Sequence, residues 1–179
     1  IPLSGFDNVL PNYQMIKALV RSVPDIIIDK DHVVMISPDE GAMGRCIAYS
    51  NCLSVDVGMF YKRRDYSTIV NGKNPILEHK YLGQDLHGKD VIIVDDMISS
   101  GGSLLDVATQ LKQVYGAKRV FNFATFGLFT DGFAAFDEAY EKGIIDKIFT
   151  TNLVYRKPEI LKKPWYVEVN MAKYVSYII

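Results

Sequence analysis

The chain has 179 residues, enough for one domain with a sizeable hydrophobic core. Its 20 basic and 21 acidic residues leave a formal net charge of −1, without the basic excess of nucleic-acid-binding domains. Hydrophobic residues make up 49% of the sequence but form no run long enough to span a membrane. Cys46 and Cys52 match no zinc or redox spacing, which predicts reduced thiols on a helix. Without a secretory signal or glycosylation sequon, the expected location is the cytoplasm.

The first 51 residues predict a helix followed by a strand–loop–helix unit. Residues 13–20 have the pattern of a short helix with Asn12 as its cap. The apolar run at 33–36 predicts a buried strand, and residues 43–51 the helix after it.

The loop within this unit is residues 37–42, with the sequence Ser-Pro-Asp-Glu-Gly-Ala. A loop between a strand and a helix amino terminus can accept an anion, because backbone N–H groups and the helix dipole point towards it. Asp39 is a candidate binding residue there. Glu40 would repel a phosphate if it pointed inward, and an ordinary helix start explains Glu40 equally well.

A third strand, residues 55–61, leads into the basic stretch Lys62-Arg63-Arg64. Alternation in an extended chain places Lys62 and Arg64 on one face, where two cations can neutralise a phosphoryl group. A solvated strand end is the alternative interpretation. Residues 65–90 have little regular pattern, and such a long connection predicts a lid, a binding loop or disorder.

The central stretch predicts a buried strand and a helix joined by a short loop. Residues 91–94 are four β-branched residues in a row, which suits a parallel strand buried on both faces. Ser103 and Asp106 resemble a capping box, and Gly116 is a stop signal. Between these signals the apolar residues are spaced three and four apart, at Leu104, Val107, Ala108, Leu111, Val114 and Tyr115.

This central strand ends in Asp95 and Asp96, and a Ser/Gly loop follows. The loop offers hydroxyl donors and close backbone approach through Ser99, Ser100, Gly101, Gly102 and Ser103. These features predict a phosphate site at a strand's carboxyl end. The two carboxylates suit a cis-diol or a hydrated Mg²⁺. A ligand with a phosphate at one end and sugar hydroxyls at the other satisfies both halves, whereas an isolated acid pair more often marks an ordinary turn.

The remaining chain continues the alternation of strands and helices. It predicts strands at 119–125, 147–151 and 165–169, with helices at 133–142 and 171–177. Phe133, Phe136 and Tyr140 are expected to point inward, and Trp165 to lie in the core or a subunit contact. The predicted fold class is α/β, with a doubly wound, mostly parallel sheet and helices on both faces.

At residues 91–103 the chain resembles the phosphoribosyl-pyrophosphate (PRPP) motif of type I phosphoribosyltransferases and ribose-phosphate pyrophosphokinases, or PRPP synthetases. The sequence around it is more similar to the synthetases, at residues 37–42, 61–64 and 120–132. The resemblance is to the carboxyl-terminal half of a synthetase. It implies that residues 1–179 form a single phosphoribosyltransferase-like domain of a longer two-domain protein.

The resemblance also implies an activity, the transfer of pyrophosphate from MgATP to ribose 5-phosphate, which gives PRPP and AMP. In this family's pattern Lys62 and Arg64 are the catalytic cations, and Asp39 lies near Mg²⁺ and pyrophosphate. The acid pair and the loop at 99–103 would hold ribose 5-phosphate or PRPP. ATP as second substrate, Mg²⁺ as cofactor and a homo-oligomer are further expectations. The chain alone is expected to bind the sugar phosphate without forming PRPP.

Three departures keep two alternatives open. Glu40 and Ala42 replace small residues of the family's loop, and Ser99 stands where the family usually has Asp. One alternative is a phosphoribosyltransferase that consumes PRPP with a nucleobase or similar acceptor. The other is a catalytically weak regulatory relative that senses PRPP or nucleotides.

Overall fold

The computed structural model describes residues 9–64 and 76–178, and in these ranges all side chains except those of 62–64 and 76–79. The strands, in chain order, are β1 (Val33–Ser37), β2 (Asp56–Arg64), β3 (Ile76–Leu82), β4 (Asp90–Ile98), β5 (Arg119–Gly127), β6 (Lys147–Thr151) and β7 (Tyr166–Val169). The helices are α1 (Asn12–Ser22), α2 (Met43–Leu53), α3 (Gly102–Gln113), α4 (Ala134–Glu141) and α5 (Ala172–Ser176), with a 3₁₀ turn at Pro158–Lys162.

The described strands form one seven-stranded sheet in the order β3-β2-β1-β4-β5-β6-β7. All neighbouring pairs are parallel except β2 and β3, which are antiparallel. The chain proceeds from β1 towards one edge of the sheet and from β4 towards the other. The strand order therefore reverses between β1 and β4, and a crevice opens at the carboxyl ends of these two strands.

Both faces of the sheet are covered, which confirms the predicted α/β class. Val91 and Ile93 of β4 pack in the cluster that contains α3 and α4, whereas Ile92 and Val94 pack in the cluster that contains α1 and α2. All four side chains are buried. The continuous apolar run at the start of β4 is thus explained by burial on both sides.

One strand was not predicted. β3 lies within residues 65–90, for which the sequence indicated no regular structure, while residues 65–75 lie outside the described part. In the described part of the chain β3 pairs with β2 alone and forms an edge of the sheet. An edge strand can consist largely of polar residues, so its sequence shows only a weak apolar alternation. Tyr81 anchors it, with its ring 5.7 Å from that of Phe60 and 5.1 Å from that of Tyr115.

Two local predictions near helix ends were wrong. Asn12 is the first residue of α1 and caps nothing, since Pro11 occupies the cap position. Tyr140 on α4 is exposed, whereas Phe136 is fully buried. The prediction for the cysteines is confirmed, because both are free thiols on α2.

An ion pair joins the amino ends of β4 and β5. The Arg119 guanidinium donates two hydrogen bonds to the Asp90 carboxylate, from Nε at 2.9 Å and from Nη2 at 2.6 Å. These bonds raise the pKa of Arg119 above its ordinary value. Arg119 also donates through Nη1 to Asp25 at 2.8 Å. Asp90 is buried, and Asp25 is exposed.

We predict that Asp90→Asn lowers the free energy of unfolding by about 3 kcal/mol, because it removes the buried carboxylate that accepts two hydrogen bonds from the Arg119 guanidinium. The matched variant Asp25→Asn removes the other partner of the same guanidinium and should cost less than about 1 kcal/mol, since that carboxylate is in water. Urea unfolding of the two variants measures the difference. Equal losses would contradict the assignment of the buried pair as the stabilising one.

Candidate functional site

The acid pair lies inside β4, which continues to Ile98 rather than ending at the acid pair as predicted. The pairing of β4 with β1 stops at Ile93, opposite Ile36, while its pairing with β5 continues through Ile98. Beyond Ile93, therefore, β4 has a neighbour among the described strands on one side only. Asp95 is half-buried and Asp96 is exposed, at the open side of the strand where the sheet order reverses.

Backbone amides of the strand hold both carboxylates. Oδ1 of Asp95 accepts a hydrogen bond from the N–H of Asp96, and Oδ1 of Asp96 accepts one from the N–H of Met97, each at 2.8 Å. These bonds fix where the carboxylates point before any ligand arrives. Two such carboxylates can accept hydrogen bonds from neighbouring hydroxyl groups, as the sequence predicted.

Burial raises the pKa of Asp95 from its ordinary value of 3.8 to about 6. Repulsion from the carboxylates of Asp96 and Asp39 acts in the same direction, and the backbone hydrogen bond from Asp96 opposes it. β1 and β4 are neighbours in the sheet, so Asp39 lies after the strand next to the one that carries Asp95 and Asp96.

Asp39 lies in the short loop between β1 and α2. Its Oδ1 accepts a hydrogen bond from the N–H of Ala42 at 3.0 Å, and its carbonyl accepts one from Oγ of Ser37 at 2.6 Å. The carboxylate itself is exposed, as is that of Glu40, while Ala42 is buried. Ala42, which differs from the family's loop sequence, is thus a small buried side chain that fits within this loop.

The loop after β4 presents its serines to solvent, while Gly101 is buried. The side chains of Ser99, Ser100 and Ser103 are exposed. The carbonyl of Ser99 accepts a hydrogen bond from the N–H of Thr130 at 3.0 Å, so the turn after β5 supports the loop. No side chain caps α3, and the predicted capping box of Ser103 and Asp106 is therefore wrong. The first N–H groups of α3 face the loop without a side-chain acceptor, as a phosphate site requires.

Gly101 occupies the cap position of α3 with φ of +91°, a conformation that side chains rarely adopt. A Cβ at Gly101 would lie 2.1 Å from Cζ of Phe136, which is fully buried. Glycine is required here both for the backbone angle and for the close approach of α4. Gly102 has neither constraint, because the nearest atom to a Cβ there is Oγ of Ser100 at 3.9 Å.

Lys62 and Arg64 lie at the carboxyl end of β2, past Met59, the last residue of β2 that pairs with β1. The antiparallel pairing with β3 skips residue 77 between Arg63 and Arg64, so the irregularity falls on β3. The side chains of both predicted cations lie outside the described part. Their placement beside the acid pair stays a prediction.

Arg45, on the first turn of α2, was missed by the sequence analysis. Its Nη2 lies 3.7 Å from Oδ1 of Asp95 and 3.7 Å from Oδ2 of Asp96. A cation on the first turn of a helix opposes the helix dipole. A basic residue on the first turn of a helix is therefore unfavourable by itself, and this could have indicated from the sequence that Arg45 pairs with an acid elsewhere in the fold.

The predicted site residues lie away from the groove of about 800 Å³ between α1, β7 and α5, whose lining contains none of them. Within the described residues no three His, Cys, Asp or Glu side chains are grouped so that they could hold a metal ion by themselves. No described helix has the length and apolar character needed to cross a membrane.

We predict that Asp95→Asn stabilises the ligand-free protein in a pH-dependent way. The pKa of Asp95 is raised on folding, so its ionised form costs free energy in the folded state above about pH 6 and costs nothing below its ordinary pKa. The variant should gain roughly 2 kcal/mol at pH 8, a gain that shrinks as the pH falls towards 5. Urea unfolding from pH 8 to pH 5 measures it.

The control for this prediction is Glu141→Gln, which removes an exposed carboxylate on α4. Its effect on unfolding should not vary over the same pH range. A gain for Asp95→Asn that stays constant from pH 8 to pH 5 would contradict the raised pKa.

We also predict that Gly101→Ala lowers the free energy of unfolding by roughly 3 kcal/mol, from the strained backbone and the overlap with Phe136. The matched variant Gly102→Ala, one residue further on, should change it by less than about 1 kcal/mol. Denaturant titration of both proteins compares them. Similar losses in the two would show that the left-handed turn is not what requires glycine.

Comparisons with known proteins agree with this geometry. A family model described as the phosphoribosyl transferase domain matches residues 7–127. A ribose-phosphate pyrophosphokinase of Shewanella oneidensis is 36% identical over 143 residues, which cover 79% of this chain and 42% of that protein. The ribose-phosphate pyrophosphokinase of Pyrococcus furiosus is 31% identical over 149 residues, which cover 83% of this chain and 46% of that protein. The chain thus spans less than half the length of these curated relatives.

Solved structures show the same fold. The crystal structure of phosphoribosylpyrophosphate synthetase from Mycobacterium smegmatis matches with a TM-score of 0.69 at 22% identity, over 92% of this chain and 48% of that one. Adenine phosphoribosyltransferase from Saccharomyces cerevisiae matches with a TM-score of 0.51 at 18% identity, over 69% of this chain and 71% of that one. The predicted resemblance to ribose-phosphate pyrophosphokinases is confirmed. The strand order, the acid pair at the end of β4 and the family match together establish that the chain belongs to the phosphoribosyl transferase domain family.

Proposed function

We propose that this chain supplies the ribose 5-phosphate/PRPP site of a ribose-phosphate pyrophosphokinase. In that reaction the anomeric hydroxyl of ribose 5-phosphate attacks the β-phosphorus of MgATP, and AMP leaves with the bridging oxygen. The observation that carries the proposal is the acid pair of β4, a few residues before an uncapped helix amino terminus at the strand-order reversal. The curated relatives named ribose-phosphate pyrophosphokinase, at 31–36% identity, support it.

The two ends of ribose 5-phosphate match the two ends of the loop. Its 5-phosphate would accept hydrogen bonds from the hydroxyls of Ser99, Ser100 and Ser103 and from the first N–H groups of α3, where the helix dipole favours an anion. Its ribose hydroxyls would donate to Asp95 and Asp96. This orientation keeps the phosphate away from the carboxylates, which would repel it.

The described residues could hold Mg²⁺ only if a bound substrate supplied further ligands. Magnesium in phosphate sites is usually held by one or two carboxylates, water and the phosphates themselves. Asp39 offers an exposed carboxylate, and the described residues provide no complete metal site of their own. Asp39 would therefore hold Mg²⁺ through one carboxylate and leave the other positions to water and diphosphate. When bound, the ion neutralises charge on the transferred group.

Lys62 and Arg64 are proposed as the catalytic cations, since they end the strand beside β1. Two cations near the transferred group would offset the charge that builds between the attacking and leaving oxygens. The adenine of ATP would be bound by parts of the protein beyond this chain, and a homo-oligomer in the cytoplasm is the proposed setting.

A regulatory relative is the second candidate, and Ser99 and Glu40 favour it. Ser99 places a hydroxyl where the resemblance implies a carboxylate, and Glu40 adds an exposed negative charge beside the proposed diphosphate position. A serine can still donate to a phosphate, so this candidate keeps ligand binding and lowers turnover.

We predict that the 179-residue chain binds ribose 5-phosphate in isothermal titration calorimetry, and that Asp96→Ala weakens this binding by about tenfold or more. Glu141→Ala, which removes an exposed acid on α4 away from the loop, is the control and should bind as the parent does. No heat of binding with a folded parent chain would contradict the proposal.

An AMP-release assay then separates the two candidates. Full-length protein supplied with MgATP and ribose 5-phosphate should release AMP if it is a pyrophosphokinase, whereas the 179-residue chain alone should not. Binding of ribose 5-phosphate by the full-length protein without AMP release would favour the regulatory relative. PRPP formation by the isolated chain would refute the expectation that ATP binding needs further parts of the protein.

A further inference from the structure

Arg45 faces the acid pair without being locked to it. Both of its distances to the carboxylates of Asp95 and Asp96 are 3.7 Å, which is within ion-pair range but too long for a hydrogen bond. Its Nε is buried and has no hydrogen-bond partner among the described residues. The buried N–H of this guanidinium is therefore unused where it lies.

Other arginine and lysine pairs in the described part are tighter. Arg119 contacts Asp90 at 2.6 Å, and Lys163 contacts Asp137 at 2.6 Å. Both of these pairs tie elements of the core together. Arg45 makes longer contacts from α2 to β4, and its position on the first turn of α2 opposes the helix dipole, so stability of the helix does not explain it.

The position of Arg45 matters because of the surrounding charge. Asp95 and Asp96 are adjacent on β4, Asp39 follows the neighbouring β1, and a sugar phosphate brings further negative charge to the same end of the sheet. Without a cation, the Asp95–Asp96 pair would attract free divalent ions and repel an anionic ligand. The Arg45 guanidinium lies 3.7 Å from a carboxylate oxygen of each of the two.

We propose that Arg45 is a positioning residue that serves as the built-in counter-charge of the Asp95–Asp96 pair. It keeps free divalent cations off the pair and leaves the carboxylates available to the ribose hydroxyls. This inference rests on the proposed function for the identity of the ligand. Its effect on divalent cations depends on the charges alone and is tested separately.

The test compares Arg45→Met, Arg45→Lys and the control Arg21→Met, which removes an exposed arginine of α1. Electron paramagnetic resonance of free Mn²⁺ measures cation binding by the ligand-free chain, and calorimetry measures ribose 5-phosphate binding. Arg45→Met should bind Mn²⁺ several-fold more tightly and ribose 5-phosphate about tenfold more weakly than the parent. Arg45→Lys keeps the charge and should restore Mn²⁺ binding to near the parent level. Arg21→Met should change neither.

The outcomes separate this inference from the proposed function. Unchanged or weaker Mn²⁺ binding by a folded Arg45→Met chain would overturn the role of Arg45. A parent chain that fails to bind ribose 5-phosphate would overturn the proposed function, while the Mn²⁺ comparison would still decide whether Arg45 is the counter-charge. Loss of sugar-phosphate binding in Arg45→Met with no change towards Mn²⁺ would indicate a structural role and would also overturn the inference.

Discussion

The site depends on the unequal pairing of β4 with its two neighbours. β1 stops pairing at Ile93, whereas β5 continues to Ile98, so the last residues of β4 have one covered and one open edge. The half-paired strand fixes the direction of Asp95 and Asp96 through backbone amides and still exposes them to the crevice.

The partial burial of Asp95 disfavours its ionised form, and surrounding positive charges offset part of this cost. The raised pKa of Asp95 reflects the cost of collecting carboxylates in a partly dry crevice. Two helix amino termini, those of α2 and α3, open at the same edge of the sheet. Arg45 on α2 offsets the acids, and the uncapped start of α3 favours an anion. Negative and positive regions are therefore separated along the crevice, an arrangement that suits a ligand with hydroxyls at one end and phosphate at the other.

The fold class, β4 and the loop after it could be predicted because their signals are local. A strand buried on both faces needs a continuous apolar run, and residues 91–94 provide one. β3 was missed because an edge strand needs no such run. The capping box failed because Gly101 turns the chain through a positive φ, which no pattern of Ser103 and Asp106 reveals. Arg45 was missed because its partners lie 50 and 51 residues away along the chain, and only the strand order brings α2 beside β4.

The shape of the loop after β4 is also set by aromatic residues that pack on the same face of the sheet as α3. Gly101 can lie against Phe136 only because that ring is fixed, and Phe136 is stacked on Trp165 with 5.4 Å between ring centroids. Trp165 in turn donates through Nε1 to Asp137 at 2.8 Å, and Lys163 donates to the same carboxylate. The carboxyl-terminal segment contributes no predicted site residue. It nevertheless packs against the Phe136 ring, and that ring in turn restricts the position of Gly101 at the start of α3.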